Sequence, residues 1–85
     1  MTTLEQAQQD VNTLSKKPNT ENLLFLYAHY KQATTGDVSG KRPSMLDVIG
    51  RMKFDTWAKL KGISKTDAEA RYIAKVKTLL AADGK

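Results

Sequence analysis

No cysteine occurs among the 85 residues, which removes disulfides, thiolate metal sites and cysteine nucleophiles together. His29 is the only histidine. With no cysteine and no second histidine a helical turn away, it does not anchor an ordinary zinc or iron site and reads as a surface or core-edge residue. Alternation of apolar and polar residues over a useful length is also missing, as are repeats and low-complexity tracts, so neither a β-sheet nor a solenoid is expected. No apolar run is long enough to cross a bilayer. The opening MTTLEQAQQD, with its acidic and amide side chains, resembles neither a signal peptide nor a transmembrane span. These absences are those of a soluble, cytoplasmic protein.

Catalytic constellations are equally scarce. The run GDVSGKR, Gly36 to Arg42, superficially suggests a phosphate loop, but its glycines are too closely spaced, no Ser or Thr follows Lys41, and no strand precedes it. Asp37, Asp47 and Asp55 fall at loop, cap and helix positions and have no nucleophile or base partner in the pattern. A binding protein is expected, and not an enzyme.

What is present is a folded composition, 40% hydrophobic and 27% charged, in a chain long enough for one core and too short for two. A single domain over residues 1–85 follows. Fourteen Lys and Arg against nine Asp and Glu give a net charge of +5, which favours an anionic partner: nucleic acid, a lipid surface or a phosphorylated small molecule. The cations are scattered in runs no longer than Lys16-Lys17 and Lys41-Arg42, so most read as solvated surface. The continuous stripe that duplex binding needs is not there.

Apolar spacing organises the chain into four helices. Leu4, Ala7, Val11 and Leu14 form a stripe from about 3 to 15, with Thr3 and Gln6 as a capping box. Asn19-Thr20 opens a second helix whose Leu23, Leu24, Tyr27 and Tyr30 share a face until Gly36. A packed loop follows, with Met45 and Leu46 as its expected anchors. Asp47 caps a third helix over about 48 to 61, which carries Met52, Phe54, Trp57 and Leu60 and is closed by Gly62. Ser64 and Asp67 cap a fourth, whose apolar face runs from Ala68 through Tyr72, Ile73, Val76, Leu79 and Leu80 to about residue 82. The expected fold class is all-α, a four-helix bundle.

Within the second helix, LYAHYK places Tyr27, Tyr30 and Lys31 at i, i+3 and i+4, which stacks two phenols and an ammonium on one face. The plain reading is a core stripe whose hydroxyls reach water. Lys31 strains that reading, and Lys53, beside Phe54 and one turn before Trp57, is a second ammonium set among aromatics. Such pairs suit a ligand that combines phosphate with a flat base.

The run LYAHYKQATTGD, followed by KRPSMLDVIGRMKFDTWAKLKGISKTDA and YIAKV, resembles the acyl-CoA-binding protein family in uninterrupted register. The resemblance implies an up-down-down-up bundle that binds medium- to long-chain fatty acyl-CoA without covalent chemistry and serves as an intracellular carrier and pool former. Carried over by position, it makes Tyr27, Lys31 and Lys53 ligands of the 3′-phosphate region, with Tyr30 and Tyr72 flanking the adenine. Leu23, Leu24 and Phe54 are the candidates for lining the acyl chain, and for each the core reading stands beside this one. No cofactor or metal is implied; the ligand is the fatty acyl-CoA itself, the chain acts as a monomer, and acyl-CoA-using enzymes are the partners in view.

Phe54 stands where the family commonly has Trp, and Asn12 and Ile49 where many members have a basic residue. Ile49, one turn before Lys53, could extend the apolar rim toward longer acyl chains; the more ordinary reading is an isolated exposed isoleucine. The alternative function is a small basic helical module that binds nucleic acid or a protein partner. Lipid-surface binding by the fourth helix, bordered by Arg71, Lys75 and Lys77, ranks third because burial of its apolar face in the bundle is the simpler account.

Overall fold

The computed structural model describes residues 2–85. Four helices, α1 (Leu4–Val11), α2 (Thr20–Thr34), α3 (Val48–Ala58) and α4 (Lys65–Ala82), account for all regular structure among the described residues. Each begins at a side-chain cap that satisfies an otherwise orphaned N–H. Thr3 accepts from Gln6 N, Asn19 from Asn22 N, Asp47 from Gly50 N and Ser64 from Asp67 N. Glycine at position 50 lets the third cap close, because a Cβ there would collide with the Asp47 carboxylate.

Two helices end earlier than the apolar stripes suggest. α1 stops at Val11, and the next residues turn tightly through Asn12 N to Gln9 O, Thr13 N to Asp10 O and Leu14 N to Val11 O. α3 likewise stops at Ala58, and Leu60 N and Lys61 N bond three residues back to Trp57 and Ala58. Leu14 and Leu60 still turn inward, so the stripe persists while the backbone has left the α-helix. Gly36 and Gly62, at φ +96° and +93°, supply the left-handed residues that close α2 and the turn after α3.

The core is centred on Ala7, Leu26, Tyr72 and Val76, with Leu4, Val11, Tyr30, Ile73, Leu79 and Leu80 packed around them. α2 packs on both α3 and α4, and α1 packs on α4; α1 makes no comparable contact with α2 or α3. The long connection over residues 35–47 is what two consecutive helices running the same way require.

That connection is not anchored by Met45 and Leu46, which are 80% and 95% exposed. Its order comes from polar pins instead. Gln32, fully buried, donates to Asp37 Oδ1 (2.9 Å) and Ile63 O (2.8 Å) and accepts from Trp57 Nε1 (3.1 Å), which also donates to Gly36 O (2.9 Å). Asp37 also accepts from Gly62 N at 2.8 Å, and Arg42 forms a two-pronged pair with Asp55 at 2.9 and 2.7 Å. These donors hold both carboxyls below the usual carboxylate range: chiefly the Gly62 N–H for Asp37 and Arg42 for Asp55. Met52 is 39% exposed, on the outer side of α3.

Candidate functional site

α1 and α2 both lie against α4 without packing on each other, and the gap between them is an open groove of about 560 Å³. Leu23, Leu26, Tyr27 and Tyr30 from α2 line one side, Gln8, Val11 and Asn12 from the α1 end line the other, and Tyr72 from α4 contributes between them. Tyr30 and Tyr72 have ring centroids 6.0 Å apart at 56°, a tilted aromatic pair. Burial raises the Tyr72 hydroxyl above the ordinary value, with Tyr30 adding to the shift, so this phenol stays neutral and serves as a hydrogen-bond donor or acceptor.

Tyr27 belongs to two surfaces at once. It lines the groove, and Lys53 Nζ from α3 lies 5.2 Å from its ring centroid. One helical turn along α2, Lys31 Nζ lies 5.0 Å from the Trp57 ring. Both ammonium groups are therefore held on aromatic faces along the α2–α3 seam, and Trp57 is itself fixed by the Gln32 and Gly36 hydrogen bonds. The groove thus offers aromatic surface of the kind a planar base stacks on, and the seam beside it offers two cations of the kind an anion pairs with.

The structure thus brings together Leu23, Tyr27, Tyr30 and Tyr72 around one groove, with Lys53 reached through Tyr27. Leu24, expected beside Leu23, points elsewhere: it lines a second groove with Glu21, Phe25, His29, Leu60 and Arg71. Successive residues on a helix diverge by about 100°, so adjacent leucines do not share a lining. Phe54 is half-buried on α3 and lines none of the three main grooves.

His29 is buried, stacked on Phe25 at 3.9 Å, and its Nδ1–H donates to Phe25 O at 2.8 Å. Burial lowers its pKa below 6.5; the Phe25 carbonyl opposes this, while Arg71 and Lys75 add to it. It is a packed neutral imidazole. Among the described residues no group of three or more His, Cys, Asp or Glu is placed to hold a metal ion.

Two residues read as solvated surface in the sequence lie along the groove. Lys16 and Lys17 line the groove beside Asn12 and Pro18. Their loop is tied down because Ser15 N and Oγ both donate to Asp83 Oδ2, at 3.0 and 3.1 Å, at the end of α4. The only sequence signal was position: a basic pair immediately before the Pro18-Asn19 entry to α2, hence at the end of the helix that carries Leu23 and Tyr27.

The family model described as acyl CoA binding protein matches residues 2–76. The chain belongs to the acyl-CoA-binding protein family. It is 47% identical over 81 residues to an acyl-CoA-binding protein homolog of Manduca sexta, covering 94% of this chain and 90% of that one. The acyl-CoA-binding protein of Saccharomyces cerevisiae is 47% identical over 77 residues, 91% of this chain and 88% of its own. Among solved structures, the crystal structure of Oryza sativa acyl-CoA-binding protein 2 superposes with a TM-score of 0.89 at 40% identity, covering 95% of this chain and 90% of that one. The four-helix arrangement is therefore the fold of this family, and the expected fold class holds.

Proposed function

We propose that this chain is a non-enzymatic carrier that binds medium- to long-chain fatty acyl-CoA esters, buffers their free concentration and delivers them to acyl-CoA-using enzymes. The observation that carries the reading is the double placement of Tyr27, between the aromatic groove and the Lys53 ammonium, in a chain of this family. In this reading Tyr27, Lys31 and Lys53 meet the 3′-phosphate region, Tyr30 and Tyr72 flank the adenine, and Lys16 and Lys17 add positive charge where Asn12 supplies none. Each charge-assisted hydrogen bond contributes about 1.5–3 kcal/mol net. The acyl chain adds up to ~0.8 kcal/mol per fully buried CH₂, so head and tail each matter. Of the proposed lining residues Leu23 has the better position, because it shares the groove with the tyrosines.

Residues 1–85 act in this reading as one monomeric domain in the cytoplasm; among the described residues no helix is long and apolar enough to cross a membrane. Binding needs no cofactor. Calorimetric titration with palmitoyl-CoA, CoA, free palmitate and a duplex oligonucleotide tests the proposal. Palmitoyl-CoA should bind far more tightly than either fragment and the oligonucleotide only weakly; equal affinity for palmitate and palmitoyl-CoA would overturn the division of labour, and preferred binding of the duplex would favour the nucleic-acid alternative.

A further inference from the structure

A second groove, of about 520 Å³, lies between α2, α3 and α4. At about 100° per residue, its α2 residues Glu21, Leu24, Phe25 and His29 face nearly opposite to Leu23, Leu26, Tyr27 and Tyr30, and the two grooves share no lining residue. Leu24, Phe25 and Leu60 make it apolar. His29 gives it one acceptor of fixed character. The residue is 4% exposed, and because a carbonyl only accepts, the 2.8 Å bond to Phe25 O assigns the ring proton to Nδ1. Nε2 is then a bare lone pair with no hydrogen-bond partner among the described residues. No side-chain nitrogen or oxygen among them is both enclosed and unpartnered, so Nε2 opens onto the groove that its ring lines. The neighbouring Thr56 hydroxyl already donates to Met52 O.

We propose that this groove binds a small amphipathic carboxylate that carries a hydroxyl group: the hydroxyl donates to His29 Nε2, the carboxylate pairs with Arg71 and Lys59, and the apolar body lies on Leu24, Phe25 and Leu60. Charge complementarity selects the acid. Arg71 and Lys59 both line the groove, and among the described residues neither has a carboxylate within ion-pairing distance. Arg71 is close enough to His29 to oppose its protonation, and Lys75, the other cation acting on the ring, is laid over Phe25 with Nζ 4.6 Å from its centroid. The one acid that lines the groove, Glu21, stands more than two turns before His29 on α2, about 12 Å along the axis, which leaves the His29 end cationic. The buried acceptor selects the hydroxyl. An apolar body without a donor would strip water from Nε2 and return nothing to it. A groove of this size suits a small molecule, and the inference does not rest on the acyl-CoA reading.

The probe is β-hydroxydecanoate, titrated into the free protein and, in parallel, into protein saturated with palmitoyl-CoA. Because His29 is the only histidine, NMR of the ring nitrogens reports on a single imidazole, read well above pH 6.5 where it is neutral. The probe should move the Nε2 signal saturably, leave the Nδ1 signal nearly in place, and do so alike in both samples. Decanoate, which lacks the hydroxyl, and methyl β-hydroxydecanoate, which lacks the charge, should each bind about tenfold more weakly. Arg71→Gln should weaken probe binding about tenfold and Lys59→Gln should add to the loss, with thermal unfolding and palmitoyl-CoA affinity unchanged in both variants. An Nε2 signal that does not move overturns the proposal, as does equal affinity for decanoate or undiminished binding to Arg71→Gln. Displacement of the probe by palmitoyl-CoA would place it in the first groove and overturn the proposal as well.

Discussion

Replacing Gln32 by Met keeps a long unbranched side chain in a fully buried position while deleting every hydrogen bond its amide makes. Two of those bonds connect elements within the fold: Nε2 to Ile63 O at 2.8 Å and Trp57 Nε1 to Oε1 at 3.1 Å. At about 1 kcal/mol net each, their loss costs about 2 kcal/mol; Trp57 is not orphaned, because its indole N–H also donates to Gly36 O. For a domain of this size that lowers Tm by roughly 8–16 °C. Thermal unfolding followed by far-ultraviolet circular dichroism measures it, with Trp57 fluorescence as a local reporter. The same variant should bind palmitoyl-CoA less tightly even well below its Tm, because the ring beneath Lys31 has lost one of its two restraints. A Tm within about 2 °C of the wild type would refute the assignment of Gln32 as the pin of the α2–α3 connection, and unchanged affinity would refute the link from that pin to Lys31.

Tyr27→Phe should lose about 1–3 kcal/mol of affinity for palmitoyl-CoA but far less for the 3′-dephospho ester; calorimetry on both ligands checks it, and equal losses would return Tyr27 to a structural role. Lys31→Ala and Lys53→Ala should each weaken binding by roughly 1.5–3 kcal/mol, whereas Lys59→Ala, at the end of α3 and lining the second groove, should be neutral; equal effects of all three would make diffuse charge the explanation. His29 makes stability depend on pH: its folded pKa lies below 6.5, so the unfolded chain takes up the proton first, and stability is full above 6.5 and falls as pH drops toward the folded value. His29→Phe, which preserves the stack on Phe25, should flatten this part of the profile in urea titrations.

Helix starts were legible because caps are local chemistry: Asn19, Asp47 and Ser64 announce α2, α3 and α4 at the residues where the structure begins them. Helix ends were less so. Leu14 and Leu60 keep the apolar period after the backbone tightens, and spacing reports which way a side chain faces without reporting which hydrogen bond carries it there. The tyrosines and lysines of LYAHYK and MKFD were visible as unusual company, and Tyr27, Tyr30 and Tyr72 do converge. Lys16 and Lys17 were not singled out, since their approach to Tyr27 arises from the fold of the α1–α2 loop. The expectation that Met45 and Leu46 anchor the loop rested on hydrophobicity, which does not distinguish a core residue from one left facing outward.

The way the helices are joined has a consequence for how the molecule yields. α1 is attached through α4 and α3 through α2, with no direct packing between the two outer helices. Substitutions confined to α1 and to α3 should therefore combine additively in free energy, and amide exchange should reveal two separate openings, each independent of the α2–α4 spine. Because α1 is the shortest helix and supplies one bank of the groove, the softer of those openings would widen the site. Breathing of this kind would let one frame admit ligands of unequal girth, while the cations on the α2–α3 seam keep their places.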